Sequence, residues 1–187
     1  IDAFNRGDDI HSKTASDIFH KDIVDVTSHE RRVAKAVNFG IIYGISGFGL
    51  SENLNISAKE AKGFIDEYLS TYPGIKEYMD STISKALIDG YVRTLFDRKR
   101  IIPELQNKNY MIRQSGERMA LNTPIQGTSA DIIKKAMVMV SREIHSRGLK
   151  SKMILQIHDE LVFDAPKYEV EEMCSIIKSV MENVCSL

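Results

Sequence analysis

The sequence predicts a mainly helical α+β fold in which strands are confined to two short antiparallel hairpins. Three observations carry that expectation. Thr27 followed by Glu30, and Ser57 followed by Glu60, are capping boxes, in which a hydroxyl and a carboxylate satisfy amide donors orphaned at a helix start. Apolar residues then recur at helical spacing until a glycine ends the run, as before Gly44, Gly90 and Gly148. Alternating β-branched and aromatic stretches occur only near 91–101 and 153–164.

The elements follow in order. Ile1-Asp2-Ala3-Phe4 opens without an initiator methionine and reads as mid-element, so an excised fragment is expected. Asp9 suits the N-cap of a helix to about Phe19 that carries Ile10, His11, Thr14 and Ile18. The next helix runs from about Ser28 to Tyr43, and Gly44 supplies the left-handed stop. Residues 45–49 read as a turn. Ser57 opens a helix to about Ser70 with Ala61, Phe64, Ile65, Tyr68 and Leu69 inward, and Tyr72-Pro73-Gly74 breaks the chain. A further helix turns Ile75, Tyr78, Met79, Thr82, Ile83, Ala86 and Leu87 inward and ends at Gly90. Residues 91–96 then form a strand, 97–100 a charged turn, and a second short strand follows.

From Tyr110 to Leu121 a helix presents Met111, Met119 and Leu121, with Arg113, Glu117 and Arg118 polar. It is expected to stop at Asn122-Thr123-Pro124. Thr123 as N-cap, Pro124 in the first turn and Gln126 as capping-box partner then open a helix to about Arg147. This helix buries Ile125, Ile132, Ile133, Ala136, Met137, Val140 and Ile144. Strands at 153–157 and 161–164 flank His158-Asp159-Glu160, and Pro166 leads into a last helix with Val170, Met173, Ile177, Val180 and Val184 inward.

Composition narrows the class. With 187 residues and 43% apolar content, the chain suits one domain, or one lobe of a larger protein. No run of about 18 apolar residues offers a membrane span, and no apolar leader opens the chain. A soluble cytoplasmic protein with no membrane partner is the expectation. Cys174 and Cys185 on one helix would lie about 16 Å apart along its axis, too far for a disulfide, so both are expected reduced and packed. The net charge of −1 gives no global sign of a polyanionic partner. Charge is local instead, in Arg31, Arg32 and Lys35, in Arg93, Arg98, Lys99 and Arg100, and in Arg113 with Arg118.

One helix carries a chemically unusual row: Arg31, Lys35, Phe39 and Tyr43 recur every fourth residue. At 1.5 Å per residue the row extends roughly 18 Å along the axis. Two cations followed by two rings match the order of parts in a nucleoside triphosphate, with Arg and Lys suited to phosphate oxygens and the rings to sugar and base. Gly40 in mid-helix costs about 1 kcal/mol relative to Ala, which fits a close approach of some other group to the backbone. The same spacing also describes an ordinary amphipathic helix with a basic end and a buried aromatic end. Spacing alone leaves both open.

Arg31-Arg32-x-x-Lys35-x-x-Asn38-Phe39-Gly40-x-x-Tyr43-Gly44 resembles motif B, the fingers O helix, of family A DNA polymerases of the bacterial DNA polymerase I type. Gln156-Ile157-His158-Asp159-Glu160 resembles motif C of that family, and Asn122-Thr123-Pro124-Ile125-Gln126-Gly127-Thr128 matches a further family segment in order. The resemblance implies fingers helices over 1–90 and part of an antiparallel palm sheet, with the His-Asp-Glu hairpin, over 91–187. It implies template-directed transfer of a nucleotide from a dNTP to a primer 3′ end, with primer-template DNA as partner. It assigns dNTP binding to His11, Arg31, Lys35, Phe39 and Tyr43, with Lys35 also a proton donor to pyrophosphate. Asp159 becomes a metal ligand, Glu160 an outer carboxylate, and His158 a contact to the primer end. Asn122 and Gln126 become DNA contacts, Gln126 in the minor groove, where shared acceptors let an amide test pair shape without reading sequence. Phe at position 39, where Tyr is the alternative, implies discrimination against sugars lacking the 3′ hydroxyl. The basic hairpin near 97–100 is expected to meet DNA phosphates, with no individual cation assigned.

The family uses two Mg²⁺ ions, and one aspartate cannot hold the pair. Its other essential aspartate lies in motif A, an Asp-Tyr-Ser-rich strand, and no such stretch occurs among these residues. The thumb and the last palm elements are likewise expected to be missing, so the fragment alone should not polymerise. Two alternatives stand beside this reading: a non-catalytic nucleic-acid-binding module, and a relative of the single-subunit RNA polymerases, which share the general plan of motifs B and C.

Overall fold

Helices dominate because start and stop signals bracket most of the chain. The computed structural model describes residues 2–186 and divides them into two compact units. Unit 1 comprises residues up to 93 together with 99–123; unit 2 comprises 94–98 and 124 onward. In order, the elements are α1 (Asp2–Asn5), α2 (Ile10–Phe19), α3 (Ser28–Ile42), α4 (Gly47–Leu54), α5 (Ala58–Thr71) and α6 (Pro73–Asp89). There follow β1 (Tyr91–Arg93), β2 (Lys99–Ile101), α7 (Tyr110–Ser146), β3 (Lys152–Ile157), β4 (Glu160–Asp164) and α8 (Val170–Glu182). The expectation of a mainly helical α+β chain with two small antiparallel sheets holds.

In unit 1, α2 packs along α3, and α4 and α5 close over them. Their shared core is Ile18, Val33, Val37, Ile41, Leu50, Ala61 and Tyr68, with Phe19, Phe64, Leu69 and Ile75 packed at its edge. The stripe anticipated for α5 therefore faces inward. A second cluster of Ala86, Val92, Ile102, Leu105 and Ala120 joins α6, the β1–β2 hairpin and the first part of α7. Gly116 is needed there, because a Cβ would stand 2.9 Å from the Leu105 backbone nitrogen.

In unit 2, β3 and β4 pair antiparallel, with Ile157 opposite Glu160 next to the turn. Ala136 and Val140 of α7 and Met173 and Ile176 of α8 are buried. The Glu169 carboxylate accepts from the amides of Lys150 and Ser151 at 3.0 and 2.9 Å and from the Ser151 hydroxyl at 2.6 Å. These bonds fix the chain entering β3.

Several expectations are overturned. The turn at 45–49 contains the start of α4: the Ser46 hydroxyl accepts from Gly49 N, an N-cap disguised by two glycines. The strand expected over 91–96 stops at Arg93, and Leu95 and Phe96 belong to a turn with Asp97 at φ 63°, while Lys99 and Arg100 lie in β2. No helix ends at Asn122. Instead α7 runs unbroken for 37 residues with Pro124 inside it. The Thr123 hydroxyl donates back to Met119 O at 2.6 Å, the bond of a mid-helix threonine, so neither it nor Gln126 forms a cap. Tyr78, Met111, Ile125 and Val170, expected inward, are exposed. Cys185 lies beyond α8, and both thiols are free, with Cys174 exposed where packing was expected.

Candidate active site

Both ends of α3 are pinned. At its start Thr27 N donates to Glu30 Oε2 at 2.9 Å while Glu30 N donates to Thr27 Oγ1 at 3.3 Å. Lys21, 2.6 Å away, and the Thr27 groups hold the Glu30 carboxyl well below its usual range. At its end Gly44 adopts φ 68°, and its N–H reaches Ile41 O at 2.9 Å while Ile45 N reaches Gly40 O at 2.8 Å. These are the paired bonds of a Schellman end. Ile45 thereby folds back onto Gly40, where a Cβ would stand 2.6 Å from Ile45 Cγ2. The close approach that Gly40 permits is made by the chain's own isoleucine.

Between these ends, α3 buries Val33, Ala34, Val37, Asn38 and Ile41 and leaves Arg31, Lys35, Phe39 and Tyr43 exposed. The aromatic end is not buried: Phe39 is 46% and Tyr43 45% accessible, and their rings stack at 6.4 Å and 8°. His11 of α2 joins this group with its ring 5.6 Å from Phe39. Arg31 forms an ion pair through Nε with Asp9, whose other contacts come from His11 N and Ser12 Oγ, each at 3.0 Å. That pairing holds the Asp9 carboxyl far below its ordinary range and raises Arg31. Burial pushes the His11 imidazole down; Asp9 opposes this, and Arg31 and Lys35 add to it. Asn38 Nδ2 lies 3.1 Å from both His11 Nδ1 and Thr14 Oγ1. The structure therefore gathers His11, Arg31, Lys35, Phe39 and Tyr43 on one exposed face.

Sequence reasoning missed three partners of this group. Asp9 was legible as a helix cap, and nothing local marks it as the partner of a residue 22 positions away. Asn38 and Thr14 are the only buried polar residues of α3 and α2 among those described, a burial that follows from the packing of the two helices.

In unit 2, His158 and Asp159 form the two-residue turn between β3 and β4, with His158 at φ 54° and Gln156 Nε2 donating to His158 O at 2.8 Å. Glu160 is the first residue of β4, and all three side chains are exposed. Asp159 and Glu160 offer hard carboxylate oxygens of the kind Mg²⁺ takes. Among the described residues no group of three or more His, Cys, Asp or Glu side chains could hold a metal ion.

Asn122 and Gln126 both lie on α7. Gln126 is exposed, whereas Asn122 keeps a buried Oδ1 that meets no hydrogen-bond donor. Three cations of the basic hairpin already have partners within the chain. Arg98 donates to Asp131 Oδ1 at 2.6 Å and to Gly127 O at 3.1 Å, Arg100 donates to Thr123 Oγ1 at 3.1 Å, and Lys99 sits 3.6 Å over the Tyr91 ring. Burial alone would raise the Asp131 carboxyl, but Thr94 and Arg98 hold it down.

A family model described as DNA polymerase family A matches residues 1–187. The chain belongs to DNA polymerase family A. Among relatives of this family A chain, DNA polymerase I of Geobacillus stearothermophilus is 51% identical and that of Bacillus subtilis (strain 168) 52% identical, each over 187 residues. The match covers all of this chain but 21% of each relative, so the chain spans about a fifth of their length. Among solved structures, the POL domain of Pol1 from M. smegmatis, in complex with DNA primer-template and dNTP, superposes with TM-score 0.89 at 41% identity. That match covers 100% of the family A chain and 33% of the other. No helix among the described residues is long and apolar enough to cross a membrane.

Proposed function

We propose that this chain supplies the nucleotide-binding helix and part of the metal site of a template-directed DNA polymerase, which transfers a nucleotide from a dNTP to a primer 3′ end. The observation that carries the reading is the exposed row of Arg31, Lys35, Phe39 and Tyr43 with His11 beside it. Two neighbouring large rings left in water on a helix whose other face is a packed core are costly to keep exposed unless something stacks on them. A dNTP answers the whole row. Arg31 pairs with Asp9 through Nε, which leaves the outer guanidinium nitrogens for a phosphate, and Lys35 adds a mobile ammonium one turn along. Lys35 then gives a proton from Nζ to the departing pyrophosphate. Phe39 covers the sugar and sets the preference for a 3′ hydroxyl, and Tyr43 guards the template-base position.

The residues up to about 90 serve as fingers and the rest as part of the palm. At the β3–β4 turn Asp159, with Glu160 outside it, would hold Mg²⁺, and His158 would meet the primer end. Bound there, the ions would favour ionisation of the primer hydroxyl and neutralise charge on the leaving pyrophosphate. Gln126 and Asn122 would touch the primer-template duplex. The relatives' name and the DNA and dNTP of the solved complex support this reading.

These 187 residues hold no Asp-Tyr-Ser-rich strand to complete the metal pair, so the chain alone does not polymerise. Magnesium-dependent primer extension tests this with the chain and with a full-length polymerase containing it, each beside an Asp159→Ala version. Extension by the full-length protein alone, abolished by the substitution, is the expected result. Extension by the purified 187-residue chain overturns its assignment as a partial site. DNA binding by the full-length protein without extension gives the role of a non-catalytic binding module.

A further inference from the structure

Asp8 and Asp9 are adjacent carboxylates with different partners. Asp8 takes Arg6, two residues back, through Nε and Nη2 at 3.0 and 2.8 Å, a grip that uses two of the three guanidinium nitrogens. Asp9 is held by the start of α2 instead. Its Oδ1 accepts from His11 N and its Oδ2 from Ser12 Oγ, each at 3.0 Å, so the carboxylate is set in place by the helix that it caps. From that fixed point Oδ2 also accepts from Arg31, 22 positions along the sequence, and it does so through Nε alone. Among the described residues no acceptor meets either outer nitrogen of Arg31.

We propose that Asp9 is a positioning residue for Arg31: by anchoring Nε it fixes the guanidinium plane and presents both outer nitrogens as a pair to one phosphate group of a bound nucleotide. The proposal rests on the phosphate role given to Arg31 above. An arginine left free in water is ordered anew by each ligand that binds, whereas one held at Nε has surrendered part of that freedom beforehand. Charge alone predicts the opposite effect, since a carboxylate near the phosphates repels them and its removal would tighten binding. Magnitude decides between the two. The Asp9 side chain is 40% and that of Arg31 46% accessible, so Asp9 acts on a phosphate beyond Arg31 through water, with its charge cancelled at contact distance. Loss of the anchor therefore outweighs relief of the repulsion. Exposed ion pairs add little to stability, so what this one supplies is geometry. The pairing also holds the Asp9 carboxyl far below its ordinary range, which keeps the anchor ionised at neutral pH.

The experiment titrates dATP, opposite a template thymine, onto a full-length polymerase containing this chain, bound to primer-template DNA whose primer ends in a dideoxynucleotide. Four proteins are compared: the unchanged one, Asp9→Ser, Arg31→Gln and the double variant. Serine keeps the cap of α2, because its hydroxyl accepts from the His11 amide, but it is too short to hold Arg31 as well. Asp9→Ser is expected to weaken dATP binding by about three- to tenfold, and to have no further effect once residue 31 is glutamine. Unchanged or tighter binding in Asp9→Ser overturns the proposal. An equal loss with and without Arg31 overturns it too, since a cap acting alone would give that result. NMR of the arginine Nε–H groups in the 187-residue chain reads the anchor directly, with Arg31 assigned by its loss in Arg31→Gln. Its Nε–H is expected to exchange slowly with water and to exchange fast in Asp9→Ser; equal exchange in both overturns the anchor. Arg31→Gln that binds dATP as tightly as the unchanged protein removes the phosphate role itself and the proposal with it, a failure distinct from the others.

Discussion

Replacing Gly40 by alanine sets two known effects against each other. In a helix interior alanine is favoured over glycine by about 1 kcal/mol. The new Cβ, however, would stand 2.6 Å from Ile45 Cγ2, 3.3 Å from its Cβ and 3.4 Å from its Cδ1. Carbon pairs are comfortable near 3.5–4.0 Å, and a β-branched side chain attached one residue past a left-handed glycine has little room to swing away. Overpacking of this kind costs about 1–3 kcal/mol. Gly40→Ala therefore destabilises the chain by up to about 2 kcal/mol, the upper overpacking cost less the propensity gain. In an Ile45→Ala background the Cγ2 and Cδ1 contacts vanish, and the same change is expected to stabilise by about 1 kcal/mol. Urea unfolding of the four proteins gives the coupling directly, expected at about 1–3 kcal/mol. Equal effects of Gly40→Ala in both backgrounds would refute the account of Gly40 as the seat of Ile45.

Other positions give sharper or simpler outcomes. Leu50, fully buried, should lose about 2–5 kcal/mol on truncation to alanine, whereas Phe39→Ala should cost about 1 kcal/mol or less in thermal unfolding and yet weaken dNTP binding. A Phe39→Ala chain that unfolds as readily as Leu50→Ala would place that ring in the core. Pro124→Ala restores an amide to the interior of α7 and should stabilise by about 1–3 kcal/mol; a loss of stability would show that the proline is held by its surroundings. Hydrogen bonds from Ser151, then from the Lys150 amide, depress Glu169. A depressed carboxyl stabilises the fold above its unfolded value and loses that contribution as pH falls through its folded value. Glu169→Gln should thus be destabilising at pH 7 and nearly neutral near pH 3, read from urea midpoints, and a penalty independent of pH would count against the charge.

How much could be read beforehand depended on the range of the interaction concerned. The boundaries of α2, α3, α5 and α6 were legible because caps act over three or four residues: Asp9 to His11, Thr27 to Glu30, Ser57 to Glu60, and Gly90 at φ 74°. The failures share the opposite property. Thr123-Pro124 carries a local helix-start signal, but Ala120 and Leu121 are buried just before it and Asp131 and Ala136 after it, so packing carries α7 straight through. The outward turn of Tyr78, Ile125 and Val170 likewise reflects which neighbours exist, which period alone does not specify. In the site, the row on α3 was visible as a spacing, while its coupling to Asp9 and to the Thr14–Asn38 pair depends on α2 lying against α3.

That distinction explains how one helix holds a core and an exposed row together. The buried side of α3 presents Val33, Val37 and Ile41 to α2, α4 and α5, and this packing fixes the rotation of the helix about its axis. Its position along the axis is fixed separately, by the Thr27–Glu30 box at one end and the Gly40–Gly44–Ile45 end at the other. With rotation and translation both set, four residues spaced one turn apart become a ruler of known direction, its cations at the capped start and its rings at the glycine end. A helix free at either terminus would fray within its last turn, where Tyr43 sits, and the ring farthest from Arg31 would lose its place first. Weakening the Schellman end should therefore blur the aromatic end of the row before it disturbs Arg31, so that Gly44→Ala lowers discrimination at the base more than it lowers affinity for triphosphate.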